Sequence, residues 1–287
     1  MQYLITGLAI GAVYALIAVG FAMVFSILSF SNFSHGVIMT CGGFIGYFLK
    51  IAGCPWVLTF ALTAVLCGLL GVIVEFLAFR KLRTSNAPLI YLFVSSITVL
   101  TLIENVLMKF FGKNIFGYPI IFREASINIF GSVIPKTYIL MMFISIISLV
   151  ILNIFLKKTK TGIAIRAAAS DLTTCSLMGI PVNLIISVAF FIAGFIGGFA
   201  GIFLGINYTV YPQMGQMVVK GYVATVIGGL GSLNGAIVGA FAMGVIEVLL
   251  TYFFGATVTP IGIFLVMLAF LIFRPQGIAG IVQDQKA

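Results

Sequence analysis

The chain has 287 residues, of which 62% are hydrophobic and only 7% charged, with a formal net charge of +9. A soluble domain carries about 25% charged residues, so a chain this apolar cannot cover its own surface in water, and the bilayer is its solvent. Lipid requires every backbone amide and carbonyl to be paired inside the protein, which leaves helices or closed barrels. Long continuous apolar runs without alternation exclude the barrel and predict an all-α, polytopic membrane helical bundle.

In a soluble protein the basic excess would point to nucleic acid. Here Lys and Arg fall in loops between apolar runs, the pattern that orients membrane spans, and no nucleic-acid partner is expected. Cys41, Cys54, Cys67 and Cys175 form no CxxC pair and read as packing residues rather than metal ligands or disulfides.

After Met1-Gln2-Tyr3, which has no basic character, an apolar run extends to about Phe30. It is too long and wrongly flanked for a cleaved signal peptide and reads as the first span. Runs of about 20 mostly apolar residues, the length a span needs, lie at 4–28, 36–52, 57–79, 88–110, 137–156, 185–206, 222–252 and 258–273. Basic residues cluster at Arg80, Lys81 and Arg83, at Lys157, Lys158, Lys160 and Arg166, and at Arg274 with Lys286. Placing all three groups in the cytoplasm puts the N-terminus outside, with the loop around Lys113, Arg123, Glu124 and Lys136. Eight simple crossings would then leave Arg274 outside. The run 222–252 is too long for one span and contains Gly228-Gly229-Leu230-Gly231-Ser232. Breaking it there restores the parity and predicts 8–9 transmembrane elements, one of them Gly-broken or re-entrant. The chain is thus expected to be one transmembrane domain over 1–287.

Glycines recur at four-residue spacing at Gly7 and Gly11, at Gly194 and Gly198, at Gly197, Gly201 and Gly205, and at Gly231, Gly235 and Gly239. Such rows let helix backbones approach closely, either as fixed packing or as faces that slide during gating.

The most polar stretch, 157–183, is longer than a simple connection requires. Its alanine-rich part favours helix, Ser170 or Asp171 supplies an N-cap for a second short helix, and Gly179 before Pro181 supplies its stop. Two readings compete: an amphipathic pair lying on anionic lipid, or a docking element for a cytoplasmic partner. Docking gains weight because the sequence has no GxxxxGK[ST] phosphate loop, and Gly112-Lys113 lacks both the earlier glycine and the following hydroxyl.

Several separated motifs resemble the permease subunits of branched-chain amino acid ABC importers, in particular the shorter of the two permeases. They are Gly11-Ala12-Val13-Tyr14-Ala15-Leu16 with Asn32-Phe33-Ser34-His35-Gly36, then Arg166-Ala167-Ala168 with Asp171 and Leu177-Met178-Gly179-Ile180. The stretch Gly228-Gly229-Leu230-Gly231-Ser232-Leu233-Asn234-Gly235-Ala236 and the ending Phe273-Arg274-Pro275-Gln276-Gly277 complete the set. Where importer permeases broadly share Glu-Ala-Ala-x-x-x-Gly, this chain has Thr173-Thr174-Cys175 and keeps only Gly179, so docking would rest on shape and on Arg166 or Asp171.

The resemblance implies two cytoplasmic ATPase subunits, a second and longer permease, and an external substrate-binding protein. It implies transport of a small amino acid (Leu, Ile or Val) by alternating access across the bacterial inner membrane, with no cofactor, no catalytic residue and a cytoplasmic C-terminus. The docking loop would use Arg166, Asp171, Leu177, Gly179 and Ile180.

Path or gate candidates are Asn32, His35, Glu247, Gly228, Gly229, Gly231 and Asn234. His35, the single histidine, cannot form a metal site alone and is expected to order the Asn32–Gly36 turn by hydrogen bonds. Acids in apolar runs are costly and functionally suspect. Glu75 has Arg80 nearby to pair with, and Glu104 has Asn105 beside it. Glu247 has no charge close in sequence, and either lines a path or makes an interhelical hydrogen bond. Asn234 is a possible cap where a helix N-terminus could favour a carboxylate. An ion-coupled transporter working alone is the rival, and it would leave the 157–183 loop idle. An intramembrane enzyme would need a clustered constellation that the sequence lacks.

Overall fold

The computed structural model describes residues 2–119, 126–129, 132–274 and 276–279; Arg123, Glu124, Pro275 and Lys286 lie outside the described residues. Helices occupy the apolar runs. α1 (Gln2–Leu28), α2 (Ser34–Ile51) and α3 (Trp56–Val74) come first, and α3 continues through a π-turn (Glu75–Phe79) into α4 (Arg80–Thr84). α5 (Leu89–Phe111) and α6 (Lys136–Lys158) follow, then the short α7 (Lys160–Ser170) and α8 (Leu172–Leu177). α9 (Val182–Tyr208) leads through a 3₁₀ turn (Pro212–Met217) into α10 (Val218–Gly228), α11 (Leu233–Phe254) and α12 (Thr259–Phe273). Six segments among the described residues are long and apolar enough to cross a bilayer: Gln2–Leu28, Trp56–Thr84, Leu89–Phe111, Lys136–Lys158, Val182–Tyr208 and Leu233–Phe254. With α2, α10 and α12 they make nine apolar elements, and the glycine break falls between α10 and α11 where loop charge and span parity place it. From its sequence, the segment between α5 and α6 is expected to be a loop only. The structure adds a hairpin there, β1 (Ser126–Ile129) antiparallel to β2 (Ser132–Pro135), with Ser126 opposite Pro135.

Packing divides the chain into two compact units, one of residues 23–120 and 147–219, the other of 1–22, 121–146 and 220–287. The first is built on α2, α3 and α9, whose small residues bring the backbones together. A methyl group on Gly198 of α9 would lie 3.0 Å from the Ala64 Cα of α3, and one on Gly42 of α2 would lie 3.0 Å from the Gly198 Cα. Gly194 of α9 faces α3, Gly197 and Gly201 face α2, and Gly198 is approached by both. One end of this unit is aromatic. The Tyr118 hydroxyl donates to the Gly43 carbonyl at 2.7 Å, its ring stacks on Trp56, and Phe116 pairs with Val210 as an isolated bridge. Burial pushes the Tyr118 phenol well above its ordinary pKa, which keeps it a donor.

In the second unit α1 runs antiparallel to α11. A methyl on Gly7 would lie 2.8 Å from the Val245 Cα, and one on Gly11 would lie 2.9 Å from the Phe241 Cα. α10 lies along α1, where Gly221 meets Ile17 and the Thr225 hydroxyl reaches the Ala18 carbonyl. It also lies along α11, where Ala224 meets Gly239 and Gly228 meets Gly235. Small residues on all three helices therefore set the spacing within which the polar groups of this unit meet.

Candidate functional site

The 157–183 loop folds as two short helices. Thr159 caps α7 by accepting from the Gly162 amide at 3.0 Å. Asp171 ends α7 and caps α8: its Oδ1 accepts from the Thr173 amide at 2.8 Å, and its Oδ2 accepts from the Thr174 hydroxyl. Gly179, with φ +77°, closes α8 as the Ile180 amide donates back to the Cys175 carbonyl at 3.1 Å. That left-handed turn is the glycine stop the sequence implies. Ile165, Ala168 and Cys175 are buried, whereas Leu177 and Met178 project with 82% and 77% exposure. Arg166 is exposed and Ile180 half-buried. The pair of helices therefore presents an apolar tip, and the carboxylate of Asp171 is committed to holding that tip in shape.

At the start of α2 the Asn32 side chain is buried and its Oδ1 accepts from the Ser34 amide at 3.1 Å and the Ser34 hydroxyl at 2.6 Å. The Phe33 amide donates to the Ser96 hydroxyl of α5 at 3.3 Å. Gly36 faces Gly215 of the 3₁₀ turn with no room for a side chain. Asn32, and not His35, ties this turn together. His35 is fully buried against Gly197, and its Nε2 has no hydrogen-bond partner.

Glu75 is wholly buried at the π-turn. In a regular α-helix a residue five positions on lies about 140° round the axis. A π-turn closes i to i+5 instead and brings Arg80 onto the face of Glu75. The Arg80 guanidinium grips the carboxylate from Nη2 at 2.7 Å and Nε at 3.3 Å, and Arg83 adds a third contact at 3.0 Å. Ser187 of α9 lies 2.9 Å from Glu75 Oε2 and accepts from Arg80 at 2.6 Å. The first basic cluster and the start of α9, which follows the second, are thus at one end of this unit. Glu104 is buried with Oε1 unpartnered, and its interacting side chain is Gln216.

In the other unit α10 stops at Gly228, and Gly229 and Gly231 turn the chain with φ of +112° and +83°. Ser232, rather than Asn234, caps α11 by accepting from the Gly235 amide at 3.1 Å; Asn234 is exposed. The end of α10 is completed from far along the chain: the Ile278 amide donates to the Ile227 carbonyl and the Ala279 amide to the Gly228 carbonyl, each at 2.9 Å, with Gly277 seated on Gly229. Two of the motifs read separately in the sequence thus meet.

Glu247 of α11 has a partner that sequence proximity did not offer. The Lys220 ammonium of α10 donates to its Oε1 at 2.6 Å and to the buried Tyr14 hydroxyl of α1 at 3.0 Å, and lies 5.4 Å from the Tyr14 ring centre. Glu247 Oε2 is buried without a partner. Tyr14 stands midway along α1, so the pair meets the helix at its centre. Among the described residues no three of His, Cys, Asp and Glu converge.

The family model for the branched-chain amino acid transport system permease component matches residues 3–273. The high-affinity branched-chain amino acid transport system permease protein BraD of Pseudomonas aeruginosa is 31% identical over 305 residues, covering 100% of this chain and 97% of that protein. The corresponding permease LivH of Salmonella typhimurium is 28% identical over 301 residues, with 100% and 97% covered. Among solved structures, PsaBC from Streptococcus pneumoniae in complex with Fab aligns over 96% of this chain and 92% of that one, at 16% identity and a TM-score of 0.48. A model match that runs from the first helix through α12 settles the family: the chain belongs to the permease components of branched-chain amino acid transport systems.

Proposed function

We propose that this chain is one of two permeases in an ATP-driven importer of the bacterial inner membrane, carrying Leu, Ile or Val inward by alternating access. The observation that carries the reading is the family match over residues 3–273; the full-length relatives, named as branched-chain amino acid permeases, support the solute class. Two cytoplasmic ATPases supply the energy, an external binding protein delivers the solute, and a longer permease pairs with this one. The ATPase docks on 157–183 through the exposed Leu177–Met178 tip and Arg166, with Asp171, Gly179 and Ile180 fixing the tip's shape. The supporting physics is simple: a bistable bundle needs an external free-energy source to shift its equilibrium, and this sequence has no phosphate loop.

Asn32, His35 and the Gly228–Asn234 break serve as gate elements, and the Arg274 end of the chain faces the cytoplasm. Affinity capture of the tagged chain from its native membrane tests the docking. An ATPase subunit should copurify, and replacing 163–180 with a Gly/Ser linker should abolish its recovery while detergent-extracted permease stays monodisperse. Capture of no ATPase, together with leucine transport by the purified chain alone in liposomes, would establish a self-sufficient transporter instead.

A further inference from the structure

Three groups that the transport reading leaves without a task meet in the unit of α1, α10 and α11: Tyr14, Lys220 and Glu247. Among the described residues of that unit Glu247 is the sole carboxylate side chain. The pair meets α1 at its midpoint, and in the middle of a membrane span water is scarcest and charge is most costly. A purely structural tie at this depth gives little net stability, because desolvation offsets the attraction between the charges. Moreover the tie is incomplete on one side. Lys220 reaches both Glu247 Oε1 and the Tyr14 hydroxyl, while Glu247 Oε2 is buried with no donor. The Lys220 side chain is 24% exposed and that of Glu247 10%, so the cluster opens to the surface of its unit on the lysine side.

The other buried acids lack this combination. Glu75 is saturated by two guanidinium groups and Ser187. Glu104 interacts with an amide side chain.

A free α-amino acid carries a carboxylate and an ammonium on the same carbon, and crossing the apolar core requires that both be met at once. We infer that Lys220, Glu247 and Tyr14 form a mid-membrane station for those two charges. The solute carboxylate takes the Lys220 ammonium and the Tyr14 hydroxyl, and the solute ammonium donates to the unpartnered Glu247 Oε2. The resting Lys220–Glu247 contact stands in for the solute between passages, so neither protein charge is left bare. This rests on the amino acid reading under Proposed function and adds to it the residues that handle the charges.

The test uses the complete importer with its ATPases and binding protein in proteoliposomes, in a background where the four native cysteines are replaced and leucine uptake persists. Lys220→Cys should lose uptake, and aminoethyl methanethiosulfonate, which appends an ammonium through a disulfide, should restore it. The decisive readout is the rate at which a reductant removes the appended ammonium group from the restored importer: leucine should slow it, whereas leucinol, which lacks the carboxylate, should not. Equal removal rates with and without leucine would overturn the inference even if uptake is restored, because a structural tie is also repaired by a returned charge.

Should Lys220→Cys fail to assemble, Tyr14→Phe decides. It keeps the ring and the ion pair, and loss of one hydrogen bond to a charged group predicts a fall in leucine uptake of about tenfold; unchanged uptake overturns the inference. An unmodified importer that accumulates no leucine fails the transport reading itself and takes this inference with it. Normal leucine uptake without protection at position 220 removes this inference alone.

Discussion

Glu75 is held by more partners than its neighbourhood in sequence suggests. Arg80 was legible as a partner because both residues lie at the end of one apolar run. Arg83 and Ser187 join only because the π-turn rotates the helix and α9 packs beside it. Removing the carboxylate leaves two cations facing each other, and breaking a buried pair in this way costs about 3–5 kcal/mol. The Arg80 side chain is 30% exposed and can turn outward, which places Glu75→Ala near the lower end of that range. Thermal unfolding of the purified permease in detergent should therefore show a clear drop for Glu75→Ala and a smaller one for Glu75→Gln. Equal midpoints would mean that the cluster carries no stability. Glu247 illustrates the limit of reading along the chain. Lys220 lies just before the apolar run as bounded at residue 222, and nothing local links it to an acid on the following helix. Only the packing of α10 between α1 and α11 brings the two charges within 2.6 Å.

Several helix ends were legible from glycine or a capping side chain, although the cap of α11 falls on Ser232 and not on Asn234. The stop at Gly179, the cap at Asp171 and the break after Gly228 all follow from residue type and spacing. The π-turn was not legible, because Glu75-Phe76-Leu77-Ala78-Phe79 is ordinary helical sequence whose extra residue is stabilised by tertiary contacts. Nor was the pairing of β1 with β2, which sits between two spans where charge dominates the pattern. Gly179 gives a direct test at this scale. With φ at +77°, a side chain there costs about 1–2 kcal/mol, so Gly179→Val should reorient the Leu177–Met178 tip. The expected outcome is weaker ATPase recovery from an otherwise monodisperse permease; full recovery would detach docking from the shape of this turn. Gly198 tests the close approach of α9. Gly198→Leu must part α9 from α3, where the Ala64 Cα leaves no room. Overpacking of this kind costs about 1–3 kcal/mol, read as a lower unfolding temperature.

At the scale of the whole molecule, the apolar runs predict one transmembrane domain over 1–287, and within the chain packing forms two compact units with interleaved chain segments. The interleaving cannot be read from composition, since both units are equally apolar and no linker separates them. α1, α6 and α10 each contribute to both units, and the family match crosses every one of these boundaries. Excising either unit would therefore cut through helices. Removing residues 277–279 is a gentler perturbation. It strips the Ile227 and Gly228 carbonyls of their partners, at a cost of about 1–3 kcal/mol for each bond left unmade in a buried place. Limited proteolysis should then cut within 229–232 in detergent, where the unaltered protein resists; identical digestion patterns would show the tail to be dispensable.

The same junction has a consequence for the order of events during synthesis. α10 and α11 emerge from the ribosome well before residues 277–279, so the end of α10 passes through a period with its final carbonyls open. Lipid cannot supply hydrogen bonds to them, and until Ile278 and Ala279 arrive the glycine break must remain near water or under the care of the insertion machinery. The step that completes the broken helix is therefore timed by the far end of the chain, and a nascent permease interrupted before that point would present an unfinished helix end as a mark of its immaturity.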